Sequence, residues 1–278
     1  MARLVLGLGP AAGGPEGGRL RARFASLVSR ALGTDVAIEW TESYRELIRL
    51  ALEGRLHIAW LPPALYVRVT ELLPHARLLV ACVRATPGRY HGALFVRARS
   101  PHRSIADLDD GMVAWVDPAS CSGYLFPRFA LLAMGIQPKS FFAAEEVLGS
   151  HQAVVQAVAY GTADVGATYV NLEGQGPEID RPITSAGWSG TRLEMRPLLV
   201  SRPIPADVLC ATRRMPVAVE ERVVAALTEV HERRGAEAVL GSLLQVKRFE
   251  PADPRDYEVV RAALNVAHLP VLGHDGLD

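Results

Sequence analysis

Three small polar side chains in a row, Ser120, Cys121 and Ser122, followed by Gly123 and Tyr124, sit between the apolar run Met112 to Val116 and a helical pattern. A strand that passes through such a turn into a helix is the layout of an anion site. The first amides of a helix lack intrahelical acceptors and carry partial positive charge, so a phosphate or carboxylate there gains from both. The two hydroxyls and the thiol add side-chain donors. One of the serines can equally be an ordinary N-cap. A second opening of the same type is Gly149-Ser150-His151, where Ser150 can cap a helix and place an imidazole in its first turn. By itself His151 also fits a surface histidine at a helix start.

The elements around these turns alternate. Leu4 to Leu8 reads as a strand, and a Gly/Pro-rich loop to Gly18 precedes a helix with Leu20, Phe24, Leu27, Val28 and Leu32 at helical spacing. Strand Asp35 to Trp40, helix Arg45 to Glu53 after Tyr44, and strand Leu56 to Trp60 follow. Strands are expected near Ala76 to Arg84 and Gly92 to Val96, and again at Met112 to Val116, Glu145 to Leu148 and Ala163 to Tyr169. A helix runs from His151 to Tyr160. Residues 171–190 read as loop, Leu198 to Val200 as a strand, and the remainder as mostly helical, with apolar stripes on Val223, Val224, Leu227 and Val230 and on Val259, Val260 and Leu264. Pro127 falls at the fifth position of a helix capped at Ser122, so a bent or delayed first turn is expected. Gly54 to Trp60 and Gly161 to Ala167 echo each other, each ending a helix and opening a strand. Strands of this kind deliver their C-terminal ends to a ligand crevice.

At 278 residues the chain exceeds one ordinary core, and two lobes are expected. Thirty basic and thirty acidic residues cancel, which argues against nucleic acid or an anionic membrane as partner. Cys82, Cys121 and Cys210 are odd in number and without metal-like spacing, so neither disulfide framework nor zinc site is implied. No apolar run reaches membrane-spanning length, and the N-terminal text lacks a secretory pattern, so the chain as written reads as cytoplasmic; removal of a leader would make it periplasmic. No nucleophile elbow, zinc-protease, phosphate-loop or dinucleotide motif occurs, so no cofactor or turnover is implied.

Val116-Asp117-Pro118-Ala119-Ser120-Cys121-Ser122-Gly123-Tyr124, Gly149-Ser150-His151 and Gly161 to Tyr169, in that order, resemble the substrate-binding components of phosphate, phosphite and phosphonate ABC transporters, the PhnD-like proteins. The resemblance implies an α/β, two-lobed periplasmic-binding-protein-like fold of type II, each lobe a mixed sheet flanked by helices, with two crossovers near Arg97 to Pro101 and Leu198 to Arg202. Lobe 1 would comprise residues 1–98 and 201–278, lobe 2 residues 99–200, and the C-terminal helices would pack on lobe 1. It further implies a non-catalytic receptor for a small oxyanion of the phosphonate or phosphate class, clamped in the cleft by hinge closure. Ser120, Cys121, Ser122 and the Gly123 backbone would hold the oxygens, with Ser150 and His151 as a second contact and Tyr44, Tyr90 and Tyr169 as cleft aromatics. A permease or a signalling partner and a monomeric state are implied. The alternative on the same architecture is a cytoplasmic enzyme of the menaquinone or pyrimidine-precursor type, resting on Cys121 and His151.

This chain departs from that pattern at Cys121, where the family has threonine, at Pro62 and Leu65 in place of glycine and serine, and at His57 in place of aspartate. Each change at Cys121, Pro62 or Leu65 removes or weakens a donor.

Overall fold

The computed structural model describes residues 3–12, 17–84, 90–174 and 178–267. Parts of the loop expected before Gly18 and of the loop expected at 171–190 lie outside the described residues. The chain forms two compact units, one from residues up to 84 with 206–258, the other from 90–205 with 259–267.

The first unit holds β1 (Leu4–Leu8), α1 (Gly18–Leu32), β2 (Val36–Trp40), α2 (Tyr44–Leu52), β3 (Ile58–Leu61), α3 (Pro63–Leu72) and β4 (Arg77–Val83). Its sheet has the order β12-β4-β11-β3-β1-β2, where β11 is Val208–Ala211 and β12 is Arg248–Glu250. Strands β1, β2 and β3 are parallel; β11 and β12 run antiparallel to their neighbours. Alternation decides the faces: Leu4, Leu6 and Leu8 join Phe24, Leu27 and Val28 of α1 in one core. Helices α7 (Val217–Glu229) and α8 (Ala236–Leu244) complete that core through Val223, Leu227, Leu240 and Leu243, as their apolar stripes require. Val224 is only partly buried beside it.

The second unit holds β5 (Tyr90–Arg97), β6 (Met112–Trp115), α4 (Phe126–Ala133), the short α5 (Pro138–Phe141), β7 (Ala144–Val147), α6 (His151–Tyr160), β8 (Val165–Leu172), β9 (Ile183–Ala186) and β10 (Met195–Ile204). The order is β10-β5-β8-β6-β7, with β9 beside β8. Strands β6, β7 and β8 are parallel, so the turns after β6 and β7 open at one end of the sheet. The last helix, α9 (Glu258–Ala267), buries Val260 and Leu264 but leaves Val259 half-exposed.

The strand at Gly92–Val96, expected in the first lobe, instead pairs with β8 and β10 in the second sheet. Its run Ala93 to Val96 is fully buried, and such a run carries no alternation to say which sheet it joins. The strand expected only at Leu198–Val200 extends over ten residues as its partner, with two register shifts.

The echo in the sequence is a structural repeat. After a left-handed glycine, Gly54 or Gly161, the backbone N–H of His57 donates to the Val5 carbonyl, and that of Asp164 to the Met112 carbonyl, each at 2.9 Å. The side chains return the bond: His57 Nδ1 accepts from the Val5 amide (3.1 Å), and Asp164 Oδ2 from the Met112 amide (2.9 Å). His57 therefore serves as a neutral acceptor at the start of its strand, with its pKa held below the ordinary value by burial and by Arg213.

Candidate functional site

Val116, at the end of β6, joins the two polar openings. Its amide donates to the Gly123 carbonyl (3.0 Å) and its carbonyl accepts from the Gly149 amide (2.8 Å), while Leu148 donates to the Trp115 carbonyl (2.9 Å). The turn after β6 and the turn after β7 are thus fastened to one strand end.

The first opening starts with Asp117, whose carboxylate accepts from the Ala119 amide (2.7 Å) and whose carbonyl accepts from the Ser120 amide (2.8 Å). Ser120 is the cap: extended in backbone, it accepts from the Gly123 amide through Oγ at 3.0 Å. Cys121–Leu125 then forms a π turn, with the Leu125 amide on the Ser120 carbonyl and the Phe126 amide on that of Cys121, before α4 begins. The distortion expected around Pro127 takes this form. Pro127 has no N–H for a carbonyl of the preceding turn, and the Ser122 carbonyl faces Gly92, where a Cβ would lie 2.8 Å from it. Gly123 is required for space: a Cβ there would lie 2.3 Å from Val116 Cγ2.

Below the turn, Glu145 of β7 accepts from Trp115 Nε1 (2.7 Å) and pairs with Arg128 of α4. The guanidinium also lies over the Tyr124 and Trp115 rings, 4.9 and 5.2 Å from their centroids. This cluster ties α4 to both strands beneath the turn.

In the second opening Ser150 caps α6 by accepting from the Ala153 amide at 3.1 Å. His151 follows, half-buried, with Nδ1 2.8 Å from the Thr168 hydroxyl and its ring edge-on to Tyr169, centroids 5.4 Å apart. Burial holds its pKa down to about 4, so the imidazole is neutral at pH 7. Tyr169 pairs with Gly92 across β8 and β5, which brings that strand end beside the Ser122 carbonyl.

Ser120, Cys121, Ser122, Gly123, Ser150, His151 and Tyr169 are therefore gathered at the same end of one sheet. Ser122 is 4% exposed and Cys121 3%. The Gly123 amide, expected to hold ligand, is occupied by Ser120 Oγ; the hydroxyls of Ser120 and Ser150 accept from amides and keep their own protons to donate. Tyr90 opens β5 opposite Ile204, half-buried, and His91 beside it is buried with Nδ1 2.8 Å from the Ser201 carbonyl. Tyr44 lies in the first unit as the first residue of α2, half-buried against Gly9 at the end of β1, where a Cβ would be 2.6 Å from its ring. In that unit α3 begins at Pro62-Pro63, two residues without an N–H, and Leu65 is fully buried. Cys82 and Cys210 are buried in the first unit, where burial pushes both thiols up, Cys210 to about 12.

Sequence reasoning missed Val116, Gly92 and Thr168. Thr168 stands inside the Gly161–Tyr169 stretch, but nothing in strand text reveals that its hydroxyl meets a histidine seventeen residues earlier.

Residues 14–257 match the model of a family described as ABC transporter, phosphonate, periplasmic substrate-binding protein. The chain belongs to this family. Members are substrate-binding components that take up a small anion and work with a transporter permease; they are not enzymes, and the enzyme alternative finds no support. The family is periplasmic or extracytoplasmic, so the expectation of a cytoplasmic protein finds none either. The fold is that of type II periplasmic binding proteins. Similar solved structures include XAC2383 from Xanthomonas citri bound to ATP, 21% identical with a TM-score of 0.77 over 96% of this chain and 99% of that one. A binding protein component of an ABC phosphonate transporter from Pseudomonas aeruginosa is 19% identical with a TM-score of 0.71, over 98% and 90%. PhnD1 from Prochlorococcus marinus, in complex with methylphosphonate, is 16% identical with a TM-score of 0.72, over 96% and 98%.

Proposed function

We propose that this family member captures a phosphonate or phosphate monoester at the end of β6, on the openings at Ser120–Gly123 and Ser150–His151. The observation that carries the reading is the pair of hydrogen bonds at Val116, which fasten both openings to one strand end. Donors of every needed kind gather there: the hydroxyls of Ser120, Ser122 and Ser150, the first amides of each helix, and a neutral imidazole. With a formal net charge of zero, attraction must come from these local donors rather than from a global field. Cys121 lies among them as the weak donor, and Tyr169 is the aromatic wall. Tyr44 is the first unit's candidate for the ligand, and Tyr90 a further one in the second. The protein acts as a monomer outside the cytoplasm and delivers its ligand to a permease.

Thermal unfolding and isothermal titration with methylphosphonate, inorganic phosphate, ethyl phosphate, methanesulfonate and acetate test this. A ligand at 100 times its Kd stabilises by about 2.7 kcal/mol. A phosphonate or phosphate should do so, and Ser122→Ala should weaken its binding about ten-fold by loss of one charge-assisted hydrogen bond. No stabilisation by either class, or unchanged affinity in Ser122→Ala, would refute the reading.

A further inference from the structure

We propose that Thr168 is a positioning residue that fixes the tautomer of His151, so that Nε2 carries the hydrogen and is offered as a donor to the bound oxyanion. The inference rests on the reading of the site given above and names a residue that reading does not use.

Thr168 stands on β8 with no exposed surface, and its Oγ1 lies 2.8 Å from His151 Nδ1. Either group can donate to the other. If Nδ1 carried the hydrogen, the hydroxyl would accept, and its own proton would need a second acceptor in a fully buried position. Among the described residues the Thr168 hydroxyl has no such second partner. A buried donor without an acceptor is costly, whereas the reverse arrangement satisfies the buried hydroxyl and leaves only the Nε2–H of a partly exposed imidazole for solvent or ligand. The hydroxyl therefore donates to Nδ1, and the neutral ring holds its one hydrogen on Nε2.

Two neighbours hold this arrangement. The Tyr169 ring stands edge-on to the imidazole, 79° between planes. On the other side of Thr168, Gly187 leaves room for the hydroxyl: a Cβ at Gly187 would lie 2.0 Å from Oγ1. The Gly187 amide donates to the Tyr169 carbonyl at 3.0 Å, which fixes that close approach. His151 is thus prepared as a neutral donor before any ligand arrives, and no rotation or proton uptake is needed at the moment of binding.

The test combines imidazole nitrogen NMR of the ligand-free protein at pH 7 with titration by methylphosphonate. In the parent protein, and in Thr168→Ser, His151 should carry its hydrogen on Nε2. In Thr168→Val, which keeps the shape and loses the hydroxyl, the hydrogen should move wholly or partly to Nδ1, and methylphosphonate should bind about ten-fold more weakly. Thr168→Ser should bind within about two-fold of the parent. A parent His151 with its hydrogen on Nδ1 overturns the proposal without reference to any ligand. A parent with the Nε2 hydrogen whose His151 signals do not respond to saturating methylphosphonate overturns the ligand reading, and with it the role given to Thr168. A Thr168→Val protein that folds and binds as the parent does overturns the positioning role alone.

Discussion

Acid should weaken the second unit through His151, and the amount follows from its surroundings. The imidazole ordinarily titrates near 6.5, and burial lowers this to about 4 in the folded protein. Between these values the unfolded chain binds a proton that the folded chain refuses, so stability rises with pH across that window. The contribution is fully present above pH 6.5 and is lost as pH falls towards 4. At about 1.4 kcal/mol per pH unit, the loss at pH 4 is about 3 kcal/mol, a large share of an ordinary domain's stability. His57 is also held below its ordinary value, so the informative quantity is the difference between the parent and His151→Gln. Urea unfolding followed by tryptophan fluorescence at pH 7, 6, 5 and 4 should show the parent losing about 3 kcal/mol relative to the variant. An NMR titration of the His151 ring should give a midpoint far below 6.5. A bound oxyanion stabilises the charged ring, so saturating methylphosphonate should raise that midpoint and shrink the loss. A difference that stays flat from pH 7 to 4, or a ring that titrates near 6.5 without ligand, would refute the reasoning.

Gly123→Ala forces a Cβ against Val116 Cγ2, and the turn must shift. The expected cost is about 2 kcal/mol, seen as a lower melting temperature together with lost methylphosphonate binding. Arg128→Met leaves Glu145 with Trp115 Nε1 alone in a mostly buried place. A destabilisation of about 2 to 3 kcal/mol in urea is expected, discounted from the full buried-pair value because Glu145 is partly exposed. His57→Asn keeps an acceptor for the Val5 amide and should preserve stability at pH 7, whereas His57→Leu should lose about 1 kcal/mol by thermal unfolding.

The two helix openings were legible because their signal is local. A helix opening needs small polar residues at its first positions, and both Ser120–Gly123 and Ser150–His151 display them in consecutive text. The repeat around Gly54 and Gly161 was legible for the same reason, since a left-handed glycine and the polar residue three positions on belong to one turn. What stayed hidden was decided at long range. Strand β5 could have joined either sheet, because residues buried on both faces show no alternation. The capping serine was ambiguous among neighbours, and only the amide it meets, that of Gly123, distinguishes Ser120 from Ser122. Thr168 was hidden for the strongest reason: its importance lies in what faces it across the fold.

The frame of the proposed anion site is made largely by main-chain atoms. Val116 holds both openings through its own amide and carbonyl, and Ser120 Oγ braces the first of them through the Gly123 amide. Selection acting on ligand preference can therefore rewrite Cys121 or Ser122 without removing those main-chain bonds, whereas Ser120 also serves as the cap of the turn. Cys121, where the resemblance read from the sequence implies a threonine, has the character of such an edit. By the same logic Gly123 and Gly92 have little freedom to vary, because each is crowded by atoms of that scaffold. Descendants of this chain should diversify at Cys121 and Ser122 and hold the capping Ser120, the glycines and the strand end fixed.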